Sequence, residues 1–254
     1  EGARLAREVV PALTKMAESD ADAAYNLAFL YGQGIGVDEK DEELQLDLNR
    51  QAAASGHGGA RFNLGAYYSE VDDFAQSFEQ YKLSAMTGNV LAHLRVGRLY
   101  HQGSGVERNY GKAIEHLQLA HSVGILEATE RLGYVYSDHD WSGHDDEVAY
   151  GYFEEAARKG LASSHARLGY LLWQNADNQE QISEAIEHFE NAVSQKYAGA
   201  YGNFGNLLMG DDGAEAFEDV QRAISVYEIG AELGDAPSQS NLSWMYYNGR
   251  HVEA

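Results

Sequence analysis

The sequence predicts an all-α fold, a solenoid of stacked helix–turn–helix units, on three observations. First, a large apolar residue followed by a small one recurs as Leu27-Ala28, Leu64-Gly65, Val96-Gly97, Leu132-Gly133, Leu168-Gly169, Phe204-Gly205 and Leu242-Ser243. The small residues are separated by 37, 32, 36, 36, 36 and 38 positions, a period that marks arrays of helical hairpins. Second, nine positions before the small residue stand Gly56, Gly88, Gly124, Gly160, Lys196 and Gly234, at a spacing that never changes. Third, there are only two prolines, Pro11 and Pro237, against 27 glycines, the balance expected of helices separated by glycine turns.

The elements follow in chain order. Glu1 to Ala17 reads as an amphipathic helix without signal-peptide character, and residues 1–19 are expected to be the second helix of a preceding partial repeat. Each later unit opens with a first helix centred on the small residue. Five positions before it stand Ala23, Ala60, Ala92, Ala128, Ser164, Ala200 and Ser238. Two after it come Leu30, Tyr67, Leu99, Val135, Leu171, Leu207 and Met245, and three after it Tyr31, Tyr68, Tyr100, Tyr136, Leu172, Leu208 and Tyr246. At 100° per residue these fall in one sector with the large apolar residue. They form one buried stripe, and the small residue at its edge lets a second helix come close.

Second amphipathic stretches lie upstream of the nine-residue marker, among them Ala113–Ala120, Ala149–Ala157, Ala185–Val193 and Ala223–Ala231. The marker reads as a left-handed helix cap, and Lys196 would need another way to end its helix. The predicted repeats are 20–56, 57–88, 89–124, 125–160, 161–196 and 197–234, with 235–254 opening a further unit that stops inside the repeat. Together they make one solenoid over residues 1–254. A single hairpin cannot bury its stripe, whereas stacked hairpins can.

Composition narrows the function. The charge is 18 − 40 = −22, which repels nucleic acid and anionic membrane surfaces and lacks the basic patch that phosphate binding needs. There are no cysteines, so disulfides, thiolate chemistry and cysteine zinc sites are excluded, while the compartment is left open. No apolar run is long enough to span a bilayer. Gly32, Gly34 and Gly36 lack both the preceding strand and the spacing of a dinucleotide site. Neither G-x-S-x-G nor H-E-x-x-H occurs. No catalytic residue and no cofactor are expected.

Several segments resemble a known family. Ala60–Tyr68 (ARFNLGAYY) and Arg131–Tyr136 (RLGYVY) are similar to the A-x-x-x-L-G-x-x-Y core of Sel1-like repeats, which are related to tetratricopeptide repeats. Tyr31–Val37 (YGQGIGV) and Tyr100–Val106 (YHQGSGV) are similar to the family's Y-x-x-G-x-G-V turn, and Lys112-Ala113 to the start of its second helix. Repeats two, four, five and six lack that turn, and Leu172-Trp173 stands where tyrosine is expected. The resemblance implies a right-handed α-solenoid superhelix acting as a scaffold or adaptor, with first helices lining the concave face. The stretch Ala231–Met245 resembles the lumenal adaptor of the Hrd-type ubiquitin ligase of ER-associated degradation. The partners implied are other proteins or peptide segments, with no nucleic acid and no membrane insertion by this segment, and the chain would be a subunit of a multiprotein complex. That likeness would place the chain in the ER lumen or another organelle; bacterial relatives would place it in the periplasm or cytoplasm.

On the implied concave face, positions one after the small residue (Phe29, Ala66, Arg98, Tyr134, Tyr170, Asn206, Trp244) and four after (Gly32, Ser69, His101, Ser137, Trp173, Met209, Tyr247) point away from the stripe. Tyr25, Phe62 and Leu94, three before, are expected to join them. Aromatic and arginine side chains dominate protein interfaces, so Phe29, Arg98, Tyr134, Tyr170, Trp173, Trp244 and Tyr247 are the expected contact residues. The column two before (Asn26, Asn63, Arg95, Arg131, Arg167, Asn203, Asn241) is polar throughout and reads as a ladder, structural or ligand-binding.

The loop Ser137–Glu147 places Asp138, Asp140 and Asp146 on a calcium-loop frame, but Ala149 stands where the bidentate glutamate is required. Its plainer reading is an acidic loop that caps the next helix. His116 and His188 share one repeat position and read as helix-surface residues. Asn241-Leu242-Ser243 is a formal glycosylation sequon inside a predicted helix. Two rivals to the scaffold remain: a structural subunit engaged through its edges, and a metal-dependent enzyme using loop 137–147.

Overall fold

The computed structural model describes residues 2–210 and 219–247. It forms two compact units, Glu1–Ser142 and Gly143–Ala254. The first holds α1 (Gly2–Ala17), α2 (Ala21–Gln33), α3 (Glu42–Ala54), α4 (Gly58–Glu70), α5 (Phe74–Ala85), α6 (Val90–Gln102), α7 (Tyr110–Ser122) and α8 (Leu126–Tyr136). The second holds α9 (Asp146–Arg158), α10 (Ala162–Gln174), α11 (Gln179–Ser194), a 3₁₀ turn (Ala198–Ala200) leading into α12 (Tyr201–Met209), α13 (Val220–Glu232) and α14 (Ala236–Tyr247). Among the described residues there is no strand.

Packing follows chain order. In the first unit α2 pairs with α3, α4 with α5 and α6 with α7, and each second helix then packs on the next first helix. In the second unit α10 pairs with α11 and α12 with α13, while α9 packs on α10, α11 on α12 and α13 on α14. Neighbouring first helices also touch, α6 with α8 and α12 with α14. Within each unit this is the stacked helix–turn–helix order of a right-handed α-solenoid.

The buried stripe lies where the 100° rule puts it. All seven residues five before the small one are buried, from Ala23 to Ser238. So are Leu27, Leu64, Val96, Leu132, Leu168 and Phe204. Each such large side chain contributes about 1.5–3 kcal/mol of burial. The stripe frays at α14, where Tyr246 is exposed and Leu242 only partly covered. The small residue has the role expected of it. A Cβ at Gly97 would lie 2.7 Å from Leu117 and 3.1 Å from the Ala113 carbonyl, and one at Gly205 would lie 2.3 Å from the Tyr227 ring.

The turns explain the fixed spacing. Gly56, Gly124, Gly160 and Gly234 have φ of 92°, 86°, 91° and 83°. At Gly160 its own N–H donates to Ala157 O, and the next N–H, of Leu161, to Ala156 O, the paired bonds of a Schellman ending. The following residue is already the N-cap of the next helix, as with His57, Ile125, Leu161 and Tyr197. No residue is left over to vary. Lys196 corrects the expectation of a different ending: it takes the left-handed conformation itself, at φ 57°, with its own N–H donating to Val193 O and the next, of Tyr197, to Ala192 O.

The connections inside a unit vary in length but finish alike. Every second helix in this set opens on an Asp or Asn N-cap: Asp41, Asp73, Asn109, Asp145, Asn178 and Asp219. Each side chain accepts a first-turn amide, satisfying an orphan donor beside the positive end of the helix dipole.

Candidate partner-binding surface

The column one after the small residue contains no buried member. Phe29 and Trp244 are exposed, and Ala66, Arg98, Tyr134, Tyr170 and Asn206 are half-buried. The column four after is likewise open, ending in Tyr247 at 91% exposure. Leu94 is a correction to the column three before. It is 1% exposed and belongs to the core, whereas Tyr25 stacks on His57 and Phe62 packs on Tyr81. On the helical wheel three before lies between the other two columns, opposite the stripe, so the burial of Leu94 is imposed by packing between helices and not by its place on α6.

In the first unit Phe29 lines a cleft of about 480 Å³ with Gln33, Gln45, Asn49, Asn63 and Tyr67. Asn63 donates to the buried Asn49 at 3.2 Å, and Asn49 donates to Gln45 O at 2.9 Å. Arg98 and Tyr134 lie on the contacting helices α6 and α8. The Arg131 guanidinium sits 5.7 Å over the Tyr134 ring. Arg95 reaches Glu127 at 3.3 Å, across to the next first helix, and Glu127 also lies 3.8 Å from Arg131. Burial lowers the Arg98 pKa, and repulsion from Arg95 and Arg131 lowers it further.

In the second unit Tyr170 and Trp173 meet edge to face at 6.4 Å, with the Arg167 guanidinium 5.6 Å over Tyr170. Trp244 and Tyr247 lie together on α14. Asn241, the sequon residue, donates to Asn206 at 2.7 Å, one rung between neighbouring first helices. The polar column therefore links repeats through Arg95–Glu127 and Asn241–Asn206.

The acidic loop is held by protein donors. The Asp138 carboxylate accepts from the Tyr110 hydroxyl at 3.0 Å, the His101 ring at 3.1 Å and the Asp140 amide at 3.0 Å. Burial opposes its ionisation, but these donors together hold its pKa below the ordinary aspartate value. Asp140 meets Arg108 at 3.4 Å, and Trp141 stacks on Tyr110 at 5.3 Å. Asp146 stands in the first turn of α9, beside its N-cap Asp145. Among the described residues no group of three or more His, Asp or Glu is placed to hold a metal ion.

Two histidine pairs escape a motif-based reading. His93 Nδ1 lies 2.8 Å from His116 Nδ1, and His165 Nδ1 lies 3.0 Å from His188 Nδ1. Each pair joins a first helix to its second. The available signal is the identical 23-residue spacing in two repeats.

The Sel1 repeat model matches residues 21–57, 90–120, 126–161, 162–197 and 236–254, more than half of the chain. The chain belongs to the Sel1 repeat family. Solved structures share its fold. A protective antigen of uropathogenic Escherichia coli strains, displaying an SLR fold, is 26% identical over 95% of this chain, with a TM-score of 0.71. This chain spans only 52% of that protein. A Sel1 repeat protein from Oxalobacter formigenes is 21% identical over 92% of this chain and 68% of its own, again with a TM-score of 0.71. No curated protein matches the chain.

Sel1-repeat solenoids act in general as non-catalytic scaffolds for protein–protein interaction and bind protein or peptide partners. Among the described residues of these Sel1 repeats, no helix is long and apolar enough to cross a membrane.

Proposed function

We propose that this Sel1-repeat chain holds segments of partner proteins on its first-helix surface, as one subunit of a larger assembly. One observation carries the reading. The position one after the small residue stays reachable by solvent in every repeat, yet its chemistry changes from copy to copy: Phe29, Ala66, Arg98, Tyr134, Tyr170, Asn206, Trp244. A residue needed only for stacking would be buried and repetitive, like the alanines of the stripe. Accessible and varied aromatic and arginine side chains suit a surface that anchors a partner.

Tyr170 and Trp173 are the anchors to test, because they form one aromatic edge in the second unit. Affinity capture from the native source with the double variant Tyr170→Ala/Trp173→Ala is expected to recover less of the partners held by the parent chain, with unchanged circular dichroism. Undiminished recovery by the folded variant would reject this surface. The stretch Ala231–Met245 suggests a specific form, a lumenal adaptor of the ER-associated degradation type. Its test is co-purification with a membrane-embedded ubiquitin ligase.

A further inference from the structure

We infer that the arginine cluster on α6 and α8 is a docking site for an acidic peptide segment, recognised through its side-chain carboxylates. The inference rests on the scaffold reading and names the chemistry of one partner.

Arg95 and Arg98 stand three residues apart on α6, and Arg131 stands on α8, the next first helix, which touches α6. Besides these arginines the two helices carry Glu127 and Glu130. Glu130 is 6% exposed, while the Glu127 side chain is 38% exposed and divides itself between Arg95 and Arg131. Arg95 and Arg131 thus share one accessible carboxylate, whose charge also acts on Arg98 from farther away. The Nε atoms of Arg98 and Arg131 are buried and meet no hydrogen-bond partner among the described residues. Those buried Nε atoms are out of a ligand's reach, but a guanidinium offers five donors in a fixed fork that matches a carboxylate, and Glu127 engages only part of the forks of Arg95 and Arg131. The side chains of Arg95 and Arg131 are each 31% exposed, so the cluster is reachable. Burial and, after it, repulsion from Arg95 and Arg131 work against the Arg98 charge, and an arriving anion relieves that repulsion.

The surroundings fit a peptide better than a bare ion. Arg131 lies over the half-buried Tyr134 ring, which places a partly accessible aromatic side chain beside the cluster. The overall charge of −22 does not forbid an acidic ligand. Screening acts over about 8 Å at physiological ionic strength, so remote carboxylates fade while contacting guanidiniums do not. The same net charge works against nucleic acid, whose phosphates continue far beyond the cluster.

The test is fluorescence-anisotropy titration of labelled hexaglutamate, with hexaglutamine as control, against the whole chain at physiological ionic strength. Hexaglutamate is expected to bind and hexaglutamine not to. Arg98→Gln and Arg131→Gln are each expected to weaken binding about tenfold, the loss of one charge-assisted hydrogen bond. Glu127→Gln, which frees Arg95 and Arg131 from their internal partner, is expected to tighten it. A purely structural role for the cluster predicts no such gain. Three results would overturn the inference: no binding of hexaglutamate by folded protein, equal binding by Arg98→Gln, or tighter binding of a single-stranded oligonucleotide than of the peptide. If hexaglutamate fails while capture still depends on Tyr170 and Trp173, this assignment falls and the scaffold reading stands.

Discussion

At the scale of single residues, Lys196 shows how a repeat tolerates a local cost. A non-glycine residue in the left-handed region is disfavoured by about 1–2 kcal/mol, yet Lys196 holds φ 57° because its own bond to Val193 O and that of Tyr197 to Ala192 O require it there. Glycine would remove the strain and add some unfolded-state entropy. Lys196→Gly is therefore expected to stabilise the chain by roughly 0.5–1 kcal/mol, read as a higher midpoint in urea denaturation. The glycine marker was legible from its spacing alone. That lysine would adopt the same geometry was not, because the preference of one residue yields to hydrogen bonds set by its neighbours. Asp138 teaches the reverse lesson. Its place on a calcium-loop frame was a matter of spacing, and what it binds was decided by Tyr110 and His101, residues 28 and 37 positions away.

At the scale of elements, each helical hairpin is closed by contacts between first and second helix. Two hairpins, α6–α7 and α10–α11, add a histidine pair. Burial lowers the pKa of His93, His116, His165 and His188 from the ordinary 6.5, and each pair's partner lowers His116 and His188 further. A lowered folded-state pKa means that the unfolded chain binds more protons as pH falls below 6.5. The stability these residues contribute is therefore present above 6.5 and lost as pH falls through their folded values. The urea midpoint is expected to be lower at about pH 5.5 than at about pH 7.5, with a smaller drop in the double variant His116→Gln/His188→Gln. An equal drop in that variant would show that other groups set the acid sensitivity. Helix positions were legible because their periodicity is local. The histidine pairs were not, since their contact depends on the crossing of two helices.

At the scale of the whole molecule, 40 acidic residues face 18 basic ones. Asp41, Asp73, Asp145 and Asp219 are placed at helix N-termini, where the dipole favours them. The remaining excess is self-repelling. Raising salt from about 0.05 M to about 0.5 M shortens the screening length severalfold and is expected to raise the urea midpoint. A fall would mean that pairs such as Arg95–Glu127 outweigh the general repulsion. Against this acidic background the arginines of α6 and α8 stand out as the place where an anionic partner would be favoured.

The sequence by itself determined the helices, the buried stripe and the unvarying link between units. These depend on 100° periodicity and on a cap that leaves no spare residue, both of which are written in neighbouring positions. It also marked the columns that stay open to solvent, because they lie opposite the stripe on the same wheel. Only the tertiary structure decided that Leu94 joins the core, that the loop's Asp138 is held by protein donors, and that Arg95 and Arg131 share the Glu127 carboxylate. Those outcomes depend on which side chains of different helices come within a few ångströms, and distance between helices is not encoded by the period of any one of them.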